Sequence, residues 1–260
     1  MCPKDLVALG SSTAKGGFRN EDDVIKKFNN WKTYTTVQKW LEIMGYPLNE
    51  IKEVRAIKMV YKSGDIWRKT DVQVQVKIIV LTNSAIGIEN ISIKLVSNPH
   101  GFNQVDKRRV ANYKDLWNMP DEIMQLMKFY TGETKPRRKM LRDSRRMFFD
   151  EMTKVEQNKI LKFFKDNKIL IVSDVLKGRG KISAGWMLVI LKTNRQVKWT
   201  LKNINEVMNL FGEGEVRFTH RGSMKIGRIT MQRKGGDAGR GTAKMLQFKI
   251  NPIELFENSR

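Results

Sequence analysis

The stretch from Asp71 to Leu95 constrains the fold more than any other part of this chain. Val72, Val74 and Val76 alternate with Gln73, Gln75 and Lys77, the period of two that a pleated strand imposes on side-chain direction. Thr82-Asn83-Ser84 and Gly87 supply turn chemistry, and Ile91, Ile93 and Leu95 then resume the alternation against Ser92 and Lys94. This pattern predicts two adjacent strands that bring Asp71 and Lys94 to one end of a sheet, pointing to a common side. A carboxylate able to hold a divalent cation, beside a lysine able to orient or deprotonate water, suits metal-assisted phosphodiester hydrolysis. The same pair also suits a solvated meander, since Asp and Lys are ordinary surface residues.

Charge narrows the partner. The 49 Lys and Arg outnumber the 27 Asp and Glu, leaving a net +22. Self-repulsion on that scale opposes folding and points to a polyanionic partner. No basic amphipathic anchor stands out and no run of ~18 apolar residues occurs, which disfavours a membrane. Cys2 is the only cysteine, so a disulfide framework and a Cys-based zinc site are excluded, and His100 and His220 are too few for a histidine-rich metal site. The N-terminus lacks the apolar core of a secretory signal, and the expected compartment is the cytoplasm.

With no repeat, low-complexity tract or long linker, the 260 residues are expected to form a single compact domain, 1–260. A catalytic subregion is expected over 15–131 and a DNA-recognition and phosphate-contacting subregion over 132–260. Helices are predicted from Asn20 to Trp31, with Asn20 as N-cap, and from Val37 to Met44. Strand material follows at Ile51 to Val60, Asp71 to Val80 and Ile88 to Val96. After a loop at Asn98 to Asn103 come helical segments around Lys107–Leu116 and Asp121–Tyr130. Thr153 to Asn167 reads as a helix. Ile169 to Val175, Trp186 to Lys192 and Val197 to Leu201 read as strands of a second sheet region. Arg228–Gln232 and Met245–Ile250 read as two more strands.

Three basic or amide-rich segments suit recognition. Gln232-Arg233-Lys234-Gly235-Gly236-Asp237 opens a Gly-rich connection whose side chains match base edges, Arg and Lys to guanine and Asp to the cytosine amino group. The loop after the candidate lysine carries Asn103, Gln104 and Lys107, and amides pair with adenine edges. Lys135 to Arg146 holds seven basic residues against Asp143 alone, and reads equally as a solvated face or a phosphate-contacting arm.

The order Glu21 on a helix, Asp71 on a strand and Ser92-Ile93-Lys94 on the next resembles the PD-(D/E)xK arrangement of many type II restriction endonucleases. Lys94-Leu-Val-Ser-Asn, Gly101-Phe-Asn-Gln-Val-Asp-Lys107, Asn203-Ile-Asn-Glu-Val207 and Gln232-Arg-Lys-Gly-Gly-Asp237 are similar to the GCGC-cutting enzymes of the HinP type. Met245-Leu-Gln-Phe-Lys249 and Glu254-Leu-Phe256 extend the likeness over nearly the whole chain.

The resemblance implies an α/β fold: a restriction-endonuclease-like core with a central mixed β-sheet flanked by helices, and a C-terminal DNA-recognition region. It implies Mg²⁺-dependent hydrolysis of a short palindromic duplex site, GCGC or a close variant. Asp71 and the Ile93 backbone carbonyl would hold the metal, Lys94 would be the catalytic lysine and Glu21 a supporting acid. Asn103, Gln104, Lys107, Gln232, Arg233, Lys234 and Asp237 would contact DNA. Ser92 departs from the pattern, standing where the superfamily carries Glu or Asp and the HinP type Gln; its hydroxyl brings no negative charge. The implied partners are double-stranded DNA, engaged as a monomer or homodimer, and a cognate DNA methyltransferase in the same system. A DNA-binding protein whose nuclease site has decayed at Ser92 is the competing expectation, and a ribosomal-type RNA-binding protein a third.

Overall fold

The computed structural model describes residues 19–59, 73–80, 86–98, 100–138, 141–193, 196–236 and 241–257. A first helix (α1, residues 19–29) leads to α2 (Thr35–Ile43) and the antiparallel strands β1 (Ile51–Lys58), β2 (Gln73–Val80) and β3 (Ile86–Val96). The chain returns much later through β5 (Trp186–Lys192), which lies parallel to β3, and β6 (Val197–Asn203), antiparallel to β5. The result is a mixed sheet in the order β1-β2-β3-β5-β6.

β4 (Asn103–Arg108) leaves β3 after residues 97–102 and joins a second, antiparallel sheet in the order β4-β10-β9-β8-β7. Its other members are β7 (Val216–Phe218), β8 (Met224–Ile226), β9 (Ile229–Arg233) and β10 (Leu246–Ile250). Five further helices connect the sheets: α3 (Val110–Trp117), α4 (Asp121–Thr131), α5 (Lys154–Asp166), α6 (Lys168–Leu176) and α7 (Ile204–Gly212), with α8 (Glu254–Glu257) after β10.

Three expectations change. Trp186 to Lys192 and Val197 to Leu201 do not start a second sheet; they complete the first. β5 is buried from Met187 to Leu191: Leu188 and Ile190 join a core with α1 and α2, while Met187, Val189 and Leu191 join the larger core on the opposite face. A strand apolar on both faces belongs in the middle of a sheet covered on both sides. Ile169 to Val175 is helical, not extended. Ile171, Val172, Val175 and Leu176 are buried while Ile169 is exposed, the spacing of a helix face. The supposed loop ends where Asn103 pairs with Ile250, so Asn103 to Arg108 is strand. The sheets also cross residue 131, the expected border between subregions: β4 precedes it but sits with β7–β10, and β5 and β6 follow it but sit with β1–β3.

Tight backbone approaches lock the second sheet against its helices. Gly227, at φ +59° between β8 and β9, has three carbonyl oxygens of residues 211–213 within 2.7 Å of where a Cβ would stand. Only glycine lets the hairpin meet the end of α7 this closely.

Candidate functional site

The candidate catalytic strand is buried without a break from Ile91 to Lys94. Alternation puts Ile91 and Ile93 in the core with Val24 and Phe28 of α1, and turns Ser92 and Lys94 to the other face. Lys94 is only 5% exposed. Ser92 pairs with Gln73 at the described start of β2, so the expected adjacency of the two strands holds. Asp71, the expected metal acid, lies outside the described residues. The fully buried Ser92 Oγ has no hydrogen-bond partner among them. A hydroxyl left so costs roughly 1–3 kcal/mol, and a hard cation or its water would relieve it. The described residues contain no cluster of three acids or histidines able to hold a metal by themselves. Oxygen donors from Ser92 and the adjacent backbone, completed by a carboxylate, fit Mg²⁺ in chemistry.

Glu21 reaches this neighbourhood because helical spacing puts it on the stripe of Val24 and Phe28, the two side chains that bury α1 against the sheet. Two such anchors contribute about 1.5–3 kcal/mol each, enough to hold a carboxylate where it is poorly solvated. Burial pushes the Glu21 carboxyl above its ordinary value, and Lys58 and then Lys94 offset only part of that. Lys58 Nζ lies 3.3 Å from Glu21 Oε2 and 3.1 Å from Asp22 Oδ1. Burial acts to lower Lys58, but the hydrogen bonds to Asp22 and Glu21 outweigh it and raise the group. Lys58 was not anticipated from the sequence; its i, i+2 alternation with Val54 and Ala56 toward α1 was the available signal.

The expected recognition residues converge on the second sheet. Phe248, Met231 and Met224 pair laterally and face the core. The opposite face carries Gln104, Lys249, Thr230, Lys225 and Arg217 in one row across all five strands. Lys107, Gln247 and Gln232 form a second row beside it. Neither row contains a carboxylate. Gln247, Lys249, Thr230, Lys225 and Arg217 were missed. The alternation Leu246-Gln247-Phe248-Lys249-Ile250 made the first two readable, whereas β7 and β8, three residues each, are too short to show a period. Asn103 turns out to brace the fold: its Nδ2 donates to Leu95 O at 2.9 Å, tying the start of β4 to β3. Arg233 Nε donates to Thr131 O at 2.8 Å, and Lys234 N to Met245 O. Gly235 and Gly236 of the Gly-rich connection both take φ of +62°, the left-handed region that glycine enters without strain. Asp237 lies outside the described residues.

This face opens into a cleft of about 660 Å³. Arg146, Arg217, Arg221, Lys225, Arg233 and Lys249 line it, and no carboxylate does. Burial and the nearby Arg233 hold Arg146 below its ordinary value; burial and Lys234 do the same to Lys249. Partly buried cations in a concave surface lined by no carboxylate suit an anion. The basic segment from Lys135 to Arg146 contributes little else to it. Arg138 pairs with Glu156, Arg142 with Asp150 and Glu151, and Arg145 with Asp143. Among the described residues of the segment only Arg146 turns into the cleft, its guanidinium 3.9 Å from the Phe148 ring centroid.

Comparison with known proteins accords with this arrangement. The family model for the R.HinP1I restriction endonuclease matches residues 44–256. The fold is similar to the crystal structure of the restriction endonuclease MspI in complex with its cognate DNA: the TM-score is 0.61 at 17% identity, covering 88% of this chain and 87% of that one. No curated protein matches the chain.

Proposed function

The chain belongs to the R.HinP1I restriction endonuclease family, and from that premise we propose that it cuts a short palindromic duplex DNA site, GCGC or a close variant, in a Mg²⁺-dependent hydrolysis. One observation carries the reading. The strand bearing Ser92 and Lys94 leads, through residues 97–102 alone, into β4, whose Gln104 and Lys107 belong to an acid-free basic face. A hydrolytic strand and a reading strand joined so closely couple cutting to recognition.

In this reading the cleft cations and the polar rows take the duplex. Phosphate contacts set its position and the amides read base edges. Asp71, the Ile93 carbonyl and Ser92 would hold Mg²⁺, which when bound acidifies water and polarises a phosphoryl oxygen. Lys94 orients the attacking water or neutralises charge growing on the phosphate. Glu21 is a supporting acid beside the lysines: it pairs with Lys58, and the charge of Lys94 helps to keep its carboxyl ionised.

The test is plasmid DNA incubated with Mg²⁺ or EDTA and resolved on a gel. Discrete, Mg²⁺-dependent fragments are expected from the wild type. Lys94→Ala should abolish them yet bind DNA nearly as well, because many other cations meet phosphate. Wild-type protein that shifts DNA but leaves it intact would favour the second reading, a sequence-specific DNA-binding protein. The observation on that side is Ser92, which brings no charge to a position where a carboxylate would hold metal.

A further inference from the structure

The polar face contains one amide with no route to a base of its own. Gln247, at the centre of the second sheet on β10, is 6% exposed and sits laterally between Lys107 of β4 and Gln232 of β9. Its Nε2 donates to Gln104 Oε1 at 2.7 Å. Gln104 is the more exposed of the two and lies laterally beside Lys249.

A glutamine amide has unlike ends, an oxygen that accepts and an NH₂ that donates twice. In Gln104 the oxygen is held by Gln247, which leaves its NH₂ without that partner. The donor end is therefore left toward the open side of the polar face. We infer that Gln247 is a positioning residue that sets which end of the Gln104 amide faces DNA, and so makes Gln104 select an acceptor edge. Guanine, with N7 and O6, is the best match in the major groove, and thymine O4 the next; the amino groups of cytosine and adenine are the edges disfavoured. This rests on the reading of the second sheet as the base-reading surface.

Gln247→Glu tests it, because a carboxylate only accepts. The introduced group would draw the Gln104 NH₂ toward itself and turn the Gln104 oxygen outward. Base preference is measured on a randomised duplex library in two ways: by sequencing cleaved ends, and by sequencing duplexes retained in EDTA, where no cutting occurs. In Gln247→Glu, preference at one position of the half-site should swing from guanine or thymine toward cytosine or adenine by roughly tenfold. Gln247→Leu, which offers neither donor nor acceptor, should relax that position alone. Thermal melts of both variants report folding.

A residue that merely fills space would slow cutting, or weaken binding, at every site alike. That outcome, or an unchanged profile in Gln247→Glu, overturns the inference. Gln104→Ala separates it from the reading beneath. If Gln104→Ala relaxes one position and Gln247→Glu does not move it, only the positioning role fails. If Gln104→Ala relaxes none, Gln104 does not read a base and both fall.

Discussion

At Glu21, burial and two lysines pull one carboxyl in opposite directions, and burial wins. Its folded pKa therefore lies above the ordinary 4.5 of a free glutamate. The sign follows: the native state binds this proton more tightly than the unfolded chain, so ionised Glu21 destabilises the fold at neutral pH. That cost is relieved as pH falls from the raised value toward 4.5 and is absent below it. Glu21→Gln has no such titration. Thermal melts of both proteins between about pH 7 and pH 4 should show wild-type Tm gaining steadily on the variant as pH falls. A Tm difference that stays flat, or grows in the variant's favour, would be the wrong sign. The helix stripe that aims Glu21 inward was legible in the sequence. Its lysine partner was not, because Lys58 comes from a strand whose distance from α1 is set only by the packed sheet.

At the scale of elements, β4 serves two faces at once. One face offers Gln104 and Lys107. From the other, Arg108 reaches Asp106 at 3.2 Å and Asp174 of α6 at 2.9 Å. Tyr113 donates to Asp106, and Trp117 and Arg179 donate to Asp174. Two acids and two arginines thus balance inside the molecule and fix β4 against α3 and α6. Burial acts to lower the Arg108 pKa, but Asp106 and Asp174 raise it above its ordinary value. Removing one partner strands a buried charge, so Asp174→Ala should cost about 3–5 kcal/mol in urea unfolding. Lys107→Ala, on the open face of the same strand, should cost under about 0.5 kcal/mol. Equal losses would show that the network does not anchor β4. The helix α6 was read as a strand for a related reason. A short apolar run such as Ile169 to Val175 carries no period by itself, and burial on one side is what reveals it.

Across the whole molecule, the net +22 is not spread evenly in effect. Arg138, Arg142 and Arg145 are matched by acids of their own neighbourhood, whereas six cations line the cleft with no carboxylate in its wall, Arg146 alone among them forming an ion pair with a described residue, at 3.8 Å, with Asp143 behind it. Counting charges along the chain left the segment from Lys135 to Arg146 open between a solvated face and a phosphate-contacting arm, because a linear count cannot see which arginines already have partners. DNA affinity measured against salt distinguishes the two groups. Arg217→Ala and Lys225→Ala should each lower the log–log slope by about 0.9 for every phosphate left without its cation. Arg138→Ala and Arg145→Ala should leave the slope unchanged. Equal effects from both pairs would mean that the charge acts diffusely and not through the cleft.

The sequence by itself determined the strands of the first hairpin, the lysine and serine on β3, the glutamate on α1, the Gly-rich turn after β9 and the large excess of positive charge. Each is written in local periodicity, turn chemistry or total charge, none of which needs a distant contact. Only the tertiary structure decided that β5 and β6 complete the first sheet, that β4 crosses to the second, and that Gln104, Lys249, Thr230, Lys225 and Arg217 share a row. Strand pairing between residues as far apart in the chain as Ile91 and Trp186 is a matter of which buried faces fit together, and the chain's local pattern is the same for many such pairings.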